Sequence, residues 1–145
     1  MDEHAESQMN EETARVALKR VMSGLYPEPD VSTEITNGII TGVAHYTPEL
    51  EHTGAPGWVQ GGLAATVIDF VSARIAKVAL DSSVATGTLD LRYRQPVLID
   101  GGPYKIEGVT EKRFSRTVRV NTRILSAEGH PLVEASGLFV AVVRD

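Results

Sequence analysis

The long apolar stretch between Gln60 and Leu80 constrains the fold of this chain more than any other feature. Its apolar side chains surround almost the whole circumference of a helix, and a helix that is apolar all round is a buried helix. Asp69, Arg74 and Lys77 interrupt the stretch, so it is a poor membrane span. We therefore predict one long helix at the centre of the domain. Other parts of the chain can approach it closely because it carries several small residues: Gly61, Gly62, Ala64, Ala65, Ala73 and Ala76.

The segments around this stretch predict strands. Asn37-Gly38 is a strong signal for a hairpin turn, and residues 127–131 indicate a second tight turn. After the helix, apolar and polar residues alternate, which is typical of a half-buried strand. The alternation places Leu89, Leu91 and Tyr93 on one face, and Thr86, Thr88, Asp90, Arg92 and Arg94 on the other. Three more such segments follow, so we predict an α+β domain whose curved antiparallel sheet wraps around one long central helix.

The first part of the chain predicts a separate helix. Residues 11–25 carry apolar side chains at close to helical spacing, with two glutamates at the start and Gly24 at the end. We expect this helix to pack on the main body. The predicted organisation is therefore an N-terminal helical extension over residues 1–30 and a main domain over residues 31–145.

Composition and charge exclude several classes of function. The 145 residues fit one domain with a real core. A net charge of −5 argues against nucleic-acid binding, because phosphates need a basic face. The chain has no cysteine, which excludes disulfides, thiolate zinc sites and cysteine nucleophiles. The acidic, polar beginning is unlike a secretory signal, so we expect a soluble, cytoplasmic protein.

Asp69 is the most informative single residue. It lies in the middle of the apolar helix, and no basic residue stands three or four positions away to pair with it. Burying a carboxylate without a partner is costly. Asp69 therefore lies either in an apolar cleft, where it is suited to base chemistry, or on a narrow exposed edge with a structural role.

The helix begins with Gln60-Gly61-Gly62, which is a candidate anion site. Two glycines at a helix start leave backbone N–H groups open to a ligand, and the helix dipole adds to their attraction for a developing oxyanion. The alternative is that the glycines only permit a sharp turn at the helix entry.

The histidines and arginines give weaker signals. The four histidines show no metal-ligand spacing, so we expect no metal site. His52 precedes Gln60 in a loop from which it could reach the helix start, although a plain loop residue is the favoured interpretation. Arginine forms bidentate phosphate contacts, and we choose Arg113 and Arg116, beside a predicted turn, as candidates for the phosphates of a coenzyme. No serine-hydrolase or nucleotide-binding motif is present.

Over residues 31–143 the sequence resembles the hotdog thioesterases of the phenylacetate-pathway type, in the branch with Gln-Gly-Gly at the helix start. In that family the catalytic acid stands nine positions after the His or Gln, as Asp69 stands after Gln60. The family also has an opening hairpin with a TPE turn, which residues 36–50 resemble. Its later strand follows a pattern matched here by Thr86, Leu89, Leu91, Tyr93 and Pro96.

The resemblance implies a hotdog fold and hydrolysis of an acyl-CoA-type thioester. Asp69 would act as general base or nucleophile, and the Gly61 N–H, with that of Gly62, would polarise the carbonyl. Gln60 would orient the carbonyl, and Thr86 would help to hold the water. The resemblance also implies sites shared between two subunits of a homodimer, often paired into a tetramer. Coenzyme A would be part of the substrate, with no separate cofactor.

Two departures from the family pattern keep an alternative open. Glutamine replaces the commoner histidine at position 60, and it cannot titrate. Gly54 stands where the family often has asparagine, a place that His52 is a candidate to fill. The alternative to an enzyme is a non-catalytic acyl-CoA binding module of the same fold. A hotdog dehydratase fits less well, because it usually pairs a histidine with the acid.

Overall fold

The computed structural model describes residues 27–142, which form a six-stranded sheet and one long helix. The sheet order is β1-β2-β4-β5-β6-β3, and every neighbouring pair is antiparallel. The helix predicted at residues 11–25 lies outside the described residues. In chain order the elements are β1 (Ser32–Thr36), β2 (Ile39–Tyr46), a 3-10 turn (Leu50–His52), α1 (Gly61–Leu80), β3 (Val84–Tyr93), β4 (Tyr104–Thr110), β5 (Thr117–Leu125) and β6 (Pro131–Ala141).

Helix α1 confirms the predicted central helix. It begins after Gln60, whose backbone is extended, and ends at Asp81, which takes the left-handed conformation and donates its N–H to the carbonyl of Lys77. Across residues 27–142, no helix combines the length and hydropathy needed to cross a bilayer. The face toward the sheet is fully buried: Leu63, Ala64, Val67, Ile68, Val71, Ser72, Ile75, Ala76 and Leu80.

The opposite face of α1 departs from the expectation of burial all round. Within a single chain, Arg74, Lys77 and Val78 are exposed, and Asp69 and Phe70 are half-buried. The guanidinium of Arg74 lies 5.2 Å from the centre of the Phe70 ring, a cation–π distance. The sheet of one chain therefore covers only one side of the helix.

Small residues in the sheet let α1 approach closely. Gly42 of β2 pairs with Gly108 of β4, and Gly108 pairs with Thr122 of β5, so the three form a row beneath the helix. The side chain of Ile75 fills the space that the two glycines leave, because a Cβ at either one would lie 2.6 Å from Ile75 Cδ1. Beside it, buried Ser72 and Thr122 share a hydrogen bond of 2.7 Å. This row fixes the height of α1 above the sheet.

Both predicted hairpins are confirmed. Asn37 and Gly38 join β1 to β2 with φ values of 52° and 78°. Positive φ at both central residues is the requirement of a type I′ turn, which Asn-Gly satisfies readily. The second hairpin joins β5 to β6 through residues 126–130, where Gly129 also has positive φ.

Strand β3 differs from the regular alternation predicted for it. Thr86 pairs with Phe139 of β6, but Thr88 pairs with Leu138, so Gly87 is an extra residue in a β-bulge. Phe139 is buried beneath α1, whereas Leu138 lies on the outer face of the sheet. The placement of Thr86 on the face of Thr88 and Asp90 was therefore wrong. The bulge turns Thr86 toward the helix, on the same side as Leu89, Leu91 and Tyr93.

Candidate active site

Asp69 and Thr86 meet at the edge of the sheet. The Thr86 hydroxyl donates a hydrogen bond of 2.8 Å to Asp69 Oδ1. Asp69 is half-buried and Thr86 is exposed, which places the pair in a partly open position beside the edge strand β3. No basic side chain among residues 27–142 forms an ion pair with Asp69. Thr86 leaves the second carboxylate oxygen, Oδ2, available to a ligand.

The helix start keeps two backbone donors available. The N–H groups of Leu63 and Ala64 both donate to the carbonyl of Gln60, at 3.0 and 3.1 Å. Within residues 27–142, the N–H groups of Gly61 and Gly62 find no acceptor, as is usual in the first turn of a helix. The Gln60 side chain lies close by, since a Cβ at Gly62 would be 3.4 Å from Gln60 Oε1. This arrangement can bind a small anion.

Tyr93, the last residue of β3, also contacts the helix start. Its hydroxyl donates a hydrogen bond of 2.7 Å to the carbonyl of Gly61. Its ring stacks closely against that glycine, because a Cβ at Gly61 would be 3.6 Å from Tyr93 Cζ. The sequence placed Tyr93 on the apolar face of its strand and in the family's strand pattern, but gave its hydroxyl no role. The hydroxyl was the available signal, since a tyrosine on such a face needs a polar partner.

A cavity of about 370 Å³ opens beside the same helix start. The segment after β3 closes one side of it, and the loop before α1 closes another. Arg94 stands at the rim, where its Nε lies 2.8 Å from Glu134 Oε2 in an ion pair. The wall is largely apolar and includes Trp58, Val59, Ala64, Tyr93, Pro96 and Val97. Such a cavity favours the binding of an apolar group whose polar end lies near Gly61.

His52 is part of the loop that leads to the helix. It is 1% exposed, and its Nδ1 is 2.8 Å from the Tyr46 hydroxyl and accepts the Glu49 N–H at 3.0 Å. Burial, and then the negative charge of Glu49, raise the pKa of Tyr46 to about 12. The His52 carbonyl also accepts the Gln60 N–H at 2.8 Å. His52 thus shapes the entry to α1, a role that does not require the predicted contact with substrate.

The two chosen arginines lie in the turn between β4 and β5, away from the helix start. Arg113 donates to the carbonyl of Ser115 at 3.1 Å, and Arg116 donates to the carbonyl of Ala141 at 3.0 Å. Both side chains are exposed, as is Phe114 between them. The turn is at the end of the sheet where β3 begins, since Ala141 pairs with Val84.

The acid and the backbone donors are far apart within one chain. Gly61 and Asp69 are eight residues apart on a helix that rises 1.5 Å per residue, a separation of about 12 Å along the axis. A reacting carbonyl has to lie roughly 3 Å from both its donors and its attacking group. A single chain therefore brings Asp69 together with Thr86, and the Gly61 and Gly62 donors with Tyr93, as two separate half-sites.

Comparison with known proteins shows the fold. No protein-family model and no curated protein matches the sequence, but many solved structures match the chain. The thioesterase candidate yhdA from Lactococcus lactis has a TM-score of 0.73 at 11% identity, over 80% of this chain and 92% of that one. A thioesterase superfamily protein from Shewanella loihica PV-4 has a TM-score of 0.59 at 26% identity, over 78% and 91%.

A third neighbour was solved with a ligand. It is a hypothetical thioesterase protein from Streptococcus pneumoniae TIGR4 with coenzyme A, and its TM-score is 0.65 at 16% identity, over 79% of this chain and 90% of that one. The chain thus has the hotdog fold, and its structural neighbours are thioesterase-superfamily proteins. The predicted α+β hotdog architecture of the main domain is confirmed. The phenylacetate-pathway type and the Gln-Gly-Gly branch stay predictions.

Proposed function

We propose that this protein hydrolyses an acyl-CoA-type thioester, with Asp69 as general base or nucleophile. The observation that carries the proposal is the hydrogen bond from Thr86 to Asp69, made possible by a bulge that turns Thr86 toward the helix. A carboxylate with one oxygen held by a hydroxyl has a fixed orientation, as a base or nucleophile requires. The thioesterase-superfamily neighbours support the reaction class, and the Gln60 to Asp69 spacing supports the phenylacetate-pathway type.

A complete site needs a second copy of the chain, because the two half-sites are about 12 Å apart along α1. Strand β3 is ten residues long and lies at the edge of the sheet, where no other strand among residues 27–142 pairs with its outer side. Natural proteins rarely leave so long an edge uncovered. Pairing β3 with the β3 of a second copy would cover this edge.

The direction of β3 determines what such pairing brings together. Asp69 lies beside Thr86 near the start of β3, and Gly61 lies beside Tyr93 at its end. In an antiparallel pair, the start of one strand faces the end of the other. The Asp69 half-site of one subunit would therefore face the Gly61 half-site of its partner. We accordingly propose a homodimer with two shared sites, and two dimers would form the tetramer that the family resemblance implies.

The reaction follows from these groups. In the general-base route, Asp69 takes a proton from water while the water oxygen attacks the thioester carbon. The carbonyl electron pair moves to oxygen, where the N–H groups of Gly61 and Gly62 of the partner subunit bind the oxyanion, with Gln60 beside them. Collapse of the tetrahedral intermediate breaks the C–S bond, and the leaving thiolate takes the proton that Asp69 holds, which restores the carboxylate. The products are a free acid and a thiol.

The rest of the substrate has two places. The apolar cavity at Trp58 takes the acyl group, because its wall begins at Gly61, where the carbonyl binds. The exposed turn with Arg113 and Arg116 takes coenzyme A phosphates, since arginine suits phosphate. The coenzyme A found with the Streptococcus neighbour supports coenzyme A as the carrier. This hydrolysis needs no separate cofactor.

A non-catalytic acyl-CoA binding module is the second candidate, and Gly54 favours it. The phenylacetate-pathway family that the sequence resembles often has asparagine at this position. In this chain, a Cβ on Gly54 would lie 2.8 Å from Gln60 Cα. The loop therefore excludes any side chain there. His52, which is buried against Tyr46, does not replace it at the surface. A site without the asparagine amide has to rely on Asp69, Thr86, Gln60 and the backbone N–H donors.

Release of free thiol from a panel of acyl-CoA thioesters tests the proposal. We expect Asp69→Asn, which keeps the size and shape of the side chain, to lower kcat by at least about 100-fold, the scale of general acid–base catalysis. Asp90→Asn is the matched control, because Asp90 is an aspartate of β3 on the outer face of the sheet. The proposal is wrong if wild type and Asp69→Asn bind acyl-CoA equally and neither releases thiol. That result would establish the binding module instead.

A further inference from the structure

We propose that Tyr93 is a positioning residue that sets the orientation and donor strength of the Gly62 N–H. The inference rests on the proposed function, in which this N–H binds the oxyanion. The Tyr93 ring lines the acyl cavity, but its hydroxyl touches neither the acid nor the reacting carbonyl and acts through the peptide between Gly61 and Gly62.

The geometry joins the tyrosine to the donor through one peptide unit. Tyr93 donates its hydroxyl proton to the Gly61 carbonyl at 2.7 Å. That carbonyl and the Gly62 N–H belong to the same rigid, planar peptide group and point in opposite directions. Fixing the carbonyl therefore fixes the direction of the N–H. A hydrogen bond accepted at the oxygen also polarises the group and strengthens donation by the nitrogen.

The helix start needs such a support because it begins with two glycines. Glycine has more conformational freedom than any other residue, so a first turn of Gly61-Gly62 frays easily. The missing side chains leave room for a ligand at the N–H groups. Tyr93 restrains the turn from the sheet side through its hydroxyl and through its ring, which lies against Gly61.

A packing role alone does not account for Tyr93. Its side chain is 54% exposed, so burial of its ring contributes little to the core of a single chain. Partial burial raises the pKa of the Tyr93 hydroxyl above its usual value. The hydroxyl therefore keeps its proton, and with it the bond to Gly61, through the neutral and mildly alkaline range.

Tyr93→Phe tests the inference because it deletes the hydroxyl and keeps the ring. We expect kcat to fall about 3- to 10-fold, the effect of one hydrogen bond, with KM nearly unchanged. We also expect the Gly62 amide nitrogen resonance of the unliganded protein to move, since its peptide loses a bond at the carbonyl. Tyr104→Phe is the matched control. The Tyr104 hydroxyl likewise donates to a backbone carbonyl at 2.8 Å, but that carbonyl belongs to Leu98 and not to the Gly61–Gly62 peptide.

The two measurements separate the possible outcomes. An unmoved Gly62 resonance in Tyr93→Phe overturns the inference, whatever happens to the rate. A wild type that hydrolyses thioesters and a Tyr93→Phe variant with the same kcat also overturn it. Should the wild type release no thiol at all, the proposed function fails, and the Gly62 resonance still decides whether Tyr93 positions that peptide. A loss of thermal stability in Tyr104→Phe without a change in kcat would support the distinction between the two tyrosines.

Discussion

Substitution of Gly108 by alanine should destabilise the fold through two identifiable contacts, the closer of them with Ile75. A Cβ at Gly108 would lie 2.6 Å from Ile75 Cδ1 and 2.9 Å from Thr122 Oγ1. Contacts under 3 Å force a side chain or the helix to move, and overpacking of this kind costs about 1–3 kcal/mol. Alanine returns roughly 0.5–1 kcal/mol, because glycine is unfavourable inside a strand. We therefore expect a net loss of about 1–2 kcal/mol in the free energy of unfolding.

Ile75→Val should rescue this variant because valine lacks Cδ1. Alone, Ile75→Val costs about 0.5–1.5 kcal/mol. Combined with Gly108→Ala, it should remove the closer contact and leave only that with Thr122 Oγ1, so the double variant should lose about 1 kcal/mol less than the sum of the two single losses. Gly42→Ala is the matched comparison. Its Cβ would lie 2.6 Å from Cδ1 and also 2.6 Å from Cγ1 of Ile75. Valine keeps its γ carbons, so Ile75→Val should not rescue Gly42→Ala.

Urea unfolding followed by far-ultraviolet circular dichroism measures these free energies. All variants have to be compared at one protein concentration, because an oligomer gains apparent stability with concentration. Additive losses for Gly108→Ala and Ile75→Val would refute the reasoning. Equal rescue of Gly42→Ala and Gly108→Ala by Ile75→Val would refute it as well. The two added Cβ atoms would then not contact different atoms of Ile75.

Three further predictions concern the site and its loop. Thr86→Val should lower kcat about 3- to 10-fold in the thiol-release assay, because a partly exposed hydrogen bond to a carboxylate is worth about 1 kcal/mol. An unchanged kcat would remove Thr86 from the mechanism. Trp58 is the single tryptophan of the chain, so an apolar acyl-CoA that fills the cavity should change its fluorescence, whereas free coenzyme A should not. Tyr46 has a folded-state pKa of about 12 against a usual value of 10.0. Folding stability that is present below pH 10 should therefore be lost as the pH rises toward 12. Urea unfolding of Tyr46→Phe should show a smaller loss over that range, and an identical loss would contradict the assignment.

Features with a local signal could be predicted from the sequence. The apolar run predicts α1 to within one residue, and Asn37-Gly38 predicts its hairpin because only residues that tolerate positive φ fit that turn. The helix start and Asp69 stand out for a similar reason. Glycines and a carboxylate are unfavourable in an apolar helix, so their presence there needs an explanation.

Features that depend on contacts between distant segments could not be predicted. The Tyr93 hydroxyl bonds to Gly61, thirty-two residues away in the chain, and no local pattern encodes that contact. His52 is buried and hydrogen-bonded to Tyr46 and Glu49, although a polar loop residue is usually exposed. The exposed face of α1 is a different case. The sequence correctly makes it apolar in part, but residues 27–142 of one chain include nothing that covers it.

The bulge at Gly87 allows the two halves of β3 to vary independently. In a regular strand, every second residue faces the helix along the whole length of the strand. A hydroxyl beside Asp69 would then have to stand at an odd-numbered position, as Leu89 and Leu91 do. The extra residue changes which positions face the helix, so Thr86 faces it from an even-numbered position. Mutations that repack the hydrophobic half can therefore accumulate without rotating Thr86 away from Asp69, so in the proposed enzyme acyl specificity is free to diverge while the catalytic carboxylate keeps its hydrogen bond.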